Sequence, residues 1–132
     1  MSKELTDRFR PLMDKNVFAL YNGIHVTDLS EDSCEGYMDV TENSMNIYGS
    51  IHGGAYFTLA DVVASMPART DGRVYVTQSV DVHYLSTTKE RRVFAKSWVV
   101  KRGRSSALVE CELKDSTGKL LVKTTFTMFC KG

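Results

Sequence analysis

One stretch of this chain limits its fold more than any other. Residues 53–66, GGAYFTLADVVASM, are apolar on nearly every side when wound as a helix, and such a helix has to be enclosed all round. Pro67 and the Asp71–Gly72 pair end it. The rest of the chain must therefore supply an enclosure, and beyond the helix the sequence is strand upon strand. Val74 to Leu85 alternates, with Val74, Val76, Val80 and Val82 on one face and Tyr75, Thr77, Ser79, Asp81 and His83 on the other. Val93 to Val100, Ala107 to Leu113 and Leu120 to Cys130 continue the series, with hairpin turns at Lys101–Arg104 and Asp115–Gly118. Ahead of the helix, Ile24 to Leu29 and Gly36 to Val40 read as two short strands around the polar turn Ser30–Ser33. Thr41 to Ile51 is a loop carrying Asn43, Asn46 and Gly49. Lys3 to Met13 has the pattern of a short amphipathic helix, with Pro11 arguing against a long one. One antiparallel sheet wrapped around a single buried helix satisfies this order, as one two-layer α+β domain over residues 1–132.

Composition narrows the function classes. A net charge of +1 on 132 residues lacks the basic footprint of a nucleic-acid binder. Hydrophobic residues at 42% and charged residues at 25% fit a globular chain. The N-terminal segment MSKELTDRFR lacks the apolar core of a signal peptide, and no run reaches membrane-spanning length, so a cytoplasmic location is expected. The three cysteines, Cys34, Cys111 and Cys130, form no Cys-x-x-Cys pair. Cys111 and Cys130 lie in apolar strand patterns and read as buried free thiols. No metal site, P-loop, dinucleotide fingerprint or Gly-x-Ser-x-Gly elbow is present in the sequence.

The buried helix carries a polar stripe, Thr58, Asp61 and Ser65, at i, i+3, i+7. A carboxylate there is costly unless it is paired or faces a cleft. It either satisfies a nearby backbone or does chemistry. His52-Gly53-Gly54 leads into the helix. Bare N–H groups at a helix start carry partial positive charge and can stabilise an oxyanion, although a Gly–Gly pair also permits tight packing. Gly53 and Asp61 lie roughly 12 Å apart along one helix, yet both would need to reach one reacting centre. Two antiparallel copies across a two-fold axis resolve this, with Gly53 of one chain facing Asp61 of the other. His52 is an acid–base candidate or a loop-holding residue. Ser79 is a hydroxyl that can reach a carboxylate or water. Arg102 and Arg104 stand in a basic turn, either as solvated hairpin residues or as a grip on phosphate.

The run Asn46-Ile-Tyr-Gly49-Ser-Ile-His52-Gly53-Gly54, followed by Leu59-Ala60-Asp61, resembles the signature of the phenylacetic-acid-degradation (PaaI-type) hotdog thioesterases. A weaker likeness extends from about Leu20 to Phe129. The resemblance implies a hotdog fold, a sheet wrapped round a long central helix, working as dimers usually paired into tetramers. It implies an acyl-coenzyme A (acyl-CoA) thioesterase without a cofactor of its own, since CoA is part of the substrate. Asp61 would be base or nucleophile, and the Gly53 N–H would polarise the thioester carbonyl. Asn46 would help hold the carbonyl or the attacking water, and His52 would be structural or carbonyl-positioning. Ser79 falls where mammalian relatives place a water-orienting Ser. Gly54, Tyr48, Tyr56 and Phe57, with Met66, would shape the substrate site, although most apolar positions on the helix read simply as core, and Arg102 and Arg104 are candidates for CoA phosphates. Ile47 and Tyr48 stand where many relatives have Pro, and Ser86–Lys89 replaces an Arg-Pro-like pair. Those departures bear on substrate choice. Rival readings are a hydroxyacyl thioester dehydratase and a non-catalytic acyl-CoA-binding module.

Overall fold

The computed structural model describes residues 2–132. Helix α1 spans Lys3–Asp14, and Ser2 caps it by accepting from the Leu5 N–H. Pro11 lies inside α1 and forfeits a backbone hydrogen bond without ending the helix. A second helix, α2 (Val17–Tyr21), comes next and has no counterpart in the sequence pattern. It buries only Ala19, so its sequence carries no amphipathic period; Asn16 starts it by accepting from the Ala19 N–H.

Strands β1 (Ile24–Ser30) and β2 (Ser33–Asp39) form the first hairpin. The central helix α3 runs Gly53–Ala64, and a 3-10 turn over Pro67–Asp71 carries the chain out. Strands β3 (Tyr75–Tyr84), β4 (Arg92–Arg102), β5 (Ser106–Lys114) and β6 (Leu120–Cys130) complete one antiparallel sheet in the order β1-β2-β4-β5-β6-β3. All six strands touch α3, so the sheet wraps the helix as the hotdog architecture requires. Leu59, Val63, Phe126, Val109 and Leu113 are fully buried between the two layers. The fit is close enough that a Cβ on Gly36 would lie 2.9 Å from Val63 Cγ2 and 2.7 Å from the His25 carbonyl oxygen. The buried Ser97 hydroxyl donates to the Val63 carbonyl at 2.8 Å, tying β4 to the helix backbone.

Two further features position the ends of the helix. Arg102 bonds to Asp32, Asp71 and the Ala68 carbonyl, and the Tyr75 hydroxyl donates to Asp71 at 2.6 Å. This cluster clamps the turn after α3 to the β1–β2 turn and to the start of β3. Partial burial would raise the Asp71 carboxyl, but the bonds from Tyr75 and Arg73 and the charge of Arg102 outweigh it and hold the pKa at about 2.

Second, β3 does not alternate as its sequence suggests. Thr77 pairs with Met128 and Ser79 with Thr127, so Gln78 is bulged out of the ladder. Tyr75 and Thr77 face the helix before the bulge. Val80 and Val82 pack on the core after it, and Val76 is exposed. The two faces expected from strict alternation therefore exchange at Gln78.

Cys34 and Cys111 are buried and Cys130 is half-buried, all as free thiols. Burial pushes the Cys34 thiol up to about 12 and raises Cys111 further, which makes both poor nucleophiles. Among the described residues no helix is long and apolar enough to cross a membrane.

Candidate active site

Of the residues singled out by sequence, Asn46, His52, Gly53, Gly54 and Tyr56 lie at the start of α3 and Asp61 lies towards its other end. At its start, His52 is the N-cap, and its Nδ1 accepts from the Gly54 N–H at 2.8 Å. That bond needs the imidazole tautomer with its proton on Nε2. It also makes Gly54 a glycine by contact, since a Cβ there would sit 3.1 Å from His52 Nδ1. With Gly54 committed, the N–H of Gly53 is left without an acceptor among the described residues. It is one of the unpaired donors of a helix N-terminus, where partial positive charge concentrates.

Asn46 holds the loop that delivers this terminus. Its Oδ1 accepts from the N–H groups of Tyr48 at 2.9 Å and Ser50 at 3.0 Å. The side-chain amide nitrogen makes no bond within the described residues and remains a donor. A cavity of about 400 Å³ opens here, lined by Asn46, Gly53, Tyr56, Tyr84 and Thr87 among others. Tyr56 is buried, with its hydroxyl 3.0 Å from that of Thr87. Tyr84 carries no functional signal in the sequence. Its hydroxyl donates to the Gly53 carbonyl at 3.0 Å, and a Cβ on Gly53 would lie 3.4 Å from its ring. Tyr48 is 84% exposed and lines no part of that cavity. Phe57 packs inward, stacked on Phe126 with ring centroids 6.2 Å apart.

At the other end lies Asp61, half-buried. Its Oδ1 accepts a hydrogen bond from the Thr77 hydroxyl at 2.9 Å, and its Oδ2 meets no donor among the described residues. The hydroxyl that reaches Asp61 is thus that of Thr77, and Ser79 makes no bond to it. The bulge at Gln78 is the reason, because it turns Ser79 to the face away from Thr77. Of the two arginines, Arg102 is committed to the ion cluster beneath α3, which takes it out of the exposed basic turn. Arg104 is exposed. Met66 is buried and lines a different cavity, beneath α1 and α2.

The geometry is split. One end of α3 offers an unsatisfied N–H and a carboxamide; the other offers a carboxylate oriented by one hydroxyl. A model of the thioesterase superfamily matches residues 48–122, which contain Gly53, Asp61 and Thr77 and begin just after Asn46. The chain belongs to the thioesterase superfamily. It is a thioester hydrolase with the hotdog fold. Solved relatives agree. A Streptococcus pneumoniae thioesterase, solved with coenzyme A, is 26% identical, with 85% of this chain and 91% of that chain covered and a TM-score of 0.80. A Streptococcus mutans protein solved with acetyl-CoA is also 26% identical, over 83% of this chain and 89% of that one, with a TM-score of 0.78. The PaaI protein of the Escherichia coli phenylacetic acid degradation operon shares the fold at a TM-score of 0.92, with 20% identity, over 99% of this chain and 96% of that one.

Proposed function

We propose that this superfamily member hydrolyses acyl-CoA to a carboxylic acid and free CoA. The observation that carries the reading is the pair of complementary half-sites, an unsatisfied Gly53 N–H and the Thr77-bonded carboxylate of Asp61. A thioester carbonyl needs both: a donor for the oxygen that becomes negative, and a base or nucleophile for the carbon. Asp61 activates water or attacks the carbon itself, with its free Oδ2 as the working oxygen. The Gly53 N–H and the Asn46 carboxamide stabilise the oxyanion, while His52 fixes the loop. The CoA and acetyl-CoA found with the two streptococcal relatives support CoA as the thiol. The Streptococcus pneumoniae thioesterase has also been solved with an aspartate, and separately a threonine sixteen positions later, changed to alanine. Asp61 and Thr77 stand at that same spacing.

The half-sites meet in a homodimer. Strand β3 is bonded to β6 on one side only. Its open edge exposes Val76 at 42% and Tyr84 at 54%, and such an edge is a template for another strand. Thr77 marks the Asp61 end and Tyr84 the Gly53 end of the same strand. With Gln78 bulged out, Asp81 is the middle ladder position between them. A two-fold axis at Asp81 sets Thr77 across from the partner's Tyr84 and Val80 across from the partner's Val82. All four lie on the helix-facing side, as opposed residues of an antiparallel pair must. Gly53 of one subunit then approaches Asp61 of the other. Pairing of such dimers into tetramers and a cytoplasmic setting complete the proposal.

The test is CoA release across a panel of acyl-CoAs. Asp61→Ala should lose about 100-fold or more in kcat. Mixing it with an inactive Gly53 variant should restore activity, because a hybrid dimer keeps one complete site. Binding of acyl-CoA without turnover would overturn the hydrolase reading in favour of a binding module. No recovery on mixing would overturn the shared site.

A further inference from the structure

A second cavity, of about 300 Å³, lies beneath α1 and α2 and has no part in the chemistry above. Its walls are of two kinds. Met13, Ala19, Ile24, Val26, Val62 and Met66 make an apolar lining, all of them buried. Arg10 and Arg69 supply positive charge, with His25 beside them. Each guanidinium spends one N–H on a main-chain carbonyl, Arg10 on Val26 at 3.1 Å and Arg69 on Tyr75 at 3.0 Å. Neither has a carboxylate within ion-pair distance among the described residues, whereas Arg73, Arg92 and Arg102 all do. The exposed pair Asp14 and Lys15 adds no net charge to the rim. Arg69 is half-buried, and desolvation pulls its pKa down. An enclosed arginine without an anion is costly, and the cost is relieved when a ligand brings the negative charge.

The cavity runs along α3 from Val62, the residue after Asp61, to beyond Ser65. Val62, Ser65 and Met66 line it, and Ser65 lies about 6 Å along α3 from Asp61. We infer that it binds a short apolar chain ending in a carboxylate, so that the preferred substrates are ω-carboxyacyl thioesters. This rests on the thioesterase reading with Asp61 at the reacting carbon. The methylenes of the acyl group run past Val62 and Met66, and the distal carboxylate meets the free N–H groups of Arg10 and Arg69. A CoA phosphate has the charge but not the apolar tail that the lining calls for.

The experiment compares hydrolysis of succinyl-, glutaryl-, adipyl- and suberyl-CoA with that of uncharged acyl-CoAs of the same chain length. The wild type should favour the carboxylated member by about tenfold or more in kcat/KM at its best length, the size of one charge-assisted hydrogen-bonded contact. Arg10→Met should erase the preference while leaving the uncharged ester within about twofold of wild type, and Arg69→Met should erase it on top of any loss common to all esters. Arg69 also anchors β3, so free adipate is titrated against wild type and Arg10→Met by calorimetry. Binding to the wild type alone supports the site. Equal loss on charged and uncharged CoA esters, with none on N-acetylcysteamine thioesters that lack phosphate, would assign the arginines to CoA and overturn the inference. Good turnover of uncharged esters with rejection of carboxylated ones would overturn it too, leaving the thioesterase reading intact. Failure of every thioester to react would instead sink that underlying reading.

Discussion

Gly53→Pro isolates the proposed oxyanion donor. Proline has no N–H, so the substitution deletes the one group in question. The ring Cδ also takes the place of the hydrogen, so the variant both removes the donor and fills the space before it, while the backbone itself accepts the change. Gly53 is the first residue of α3, where proline is favoured because the N–H has no helical acceptor. His52 before it has φ −65° and ψ 138°, in the extended region that a residue preceding proline adopts. A Cβ at Gly53 stays 3.4 Å or more from Tyr84, an ordinary contact. The melting temperature should therefore stay within about 2 °C, which for a chain of this size corresponds to well under 1 kcal/mol. Loss of a single oxyanion donor costs about 100- to 1,000-fold in kcat, or about 2.7–4 kcal/mol. Gly53→Ala is the control: it adds the same Cβ but keeps the N–H, and should remain within a few-fold of wild type. The assay is CoA release under saturating substrate, with thermal unfolding in parallel. A proline variant that folds and turns over at the wild-type rate would refute the assignment of that N–H.

Thr77→Val should lower kcat/KM by about 10- to 100-fold through loss of a hydrogen bond to a charged group, and Ser79→Ala should leave it unchanged; steady-state kinetics on both decides between the two hydroxyls. Val82→Lys should abolish self-pairing of β3 and activity together, read by analytical ultracentrifugation and CoA release, while Asp81→Asn should tighten the dimer by removing like charges at the axis. Asp71 has its carboxyl held at about 2 in the folded chain, below its ordinary 3.8. Its share of stability is therefore complete above about pH 4 and is lost as pH falls towards 2, amounting to about 1–2 kcal/mol after solvent screening. Asp71→Asn should flatten denaturant-measured stability between pH 4 and pH 2 relative to wild type. Arg102→Met should cost about 1–3 kcal/mol of stability and leave KM for the CoA ester unaltered, since its guanidinium is occupied inside the fold.

The fold was legible because one segment left so few choices. A helix as apolar as Gly53–Ala64 has to be wrapped, and the alternating segments after it could only wrap it as an antiparallel sheet. Strand boundaries came within a few residues, since buried alternation is read directly in Ala107, Val109, Cys111 and Leu113. Helix α2 was invisible for the opposite reason. Its Val17, Phe18 and Tyr21 are exposed, so burial leaves no period to detect. Arg102 looked like part of a basic hairpin, because its partners Asp32 and Asp71 are remote in sequence and meet it only through the turn after α3.

The site shows how far a pattern of residue types can carry and where it stops. The positions of Asp61 and Gly53 on α3 follow from helical spacing alone, because both belong to one continuous element. The hydroxyl partner of Asp61 lies on another element, and finding it requires the register of β3. Strict alternation puts Thr77 and Ser79 on one face and makes them equal candidates. A single bulged residue, Gln78, separates them. It keeps Thr77 on the helix side with Tyr75 and sends Ser79 outward, while Val80, Val82 and Tyr84 take over the inner face. Without the bulge, Tyr84 would share a face with exposed Val76 and could not reach Gly53. The same residue thus lets one strand serve both ends of α3, bonding a carboxylate at Thr77 and a helix N-terminus at Tyr84.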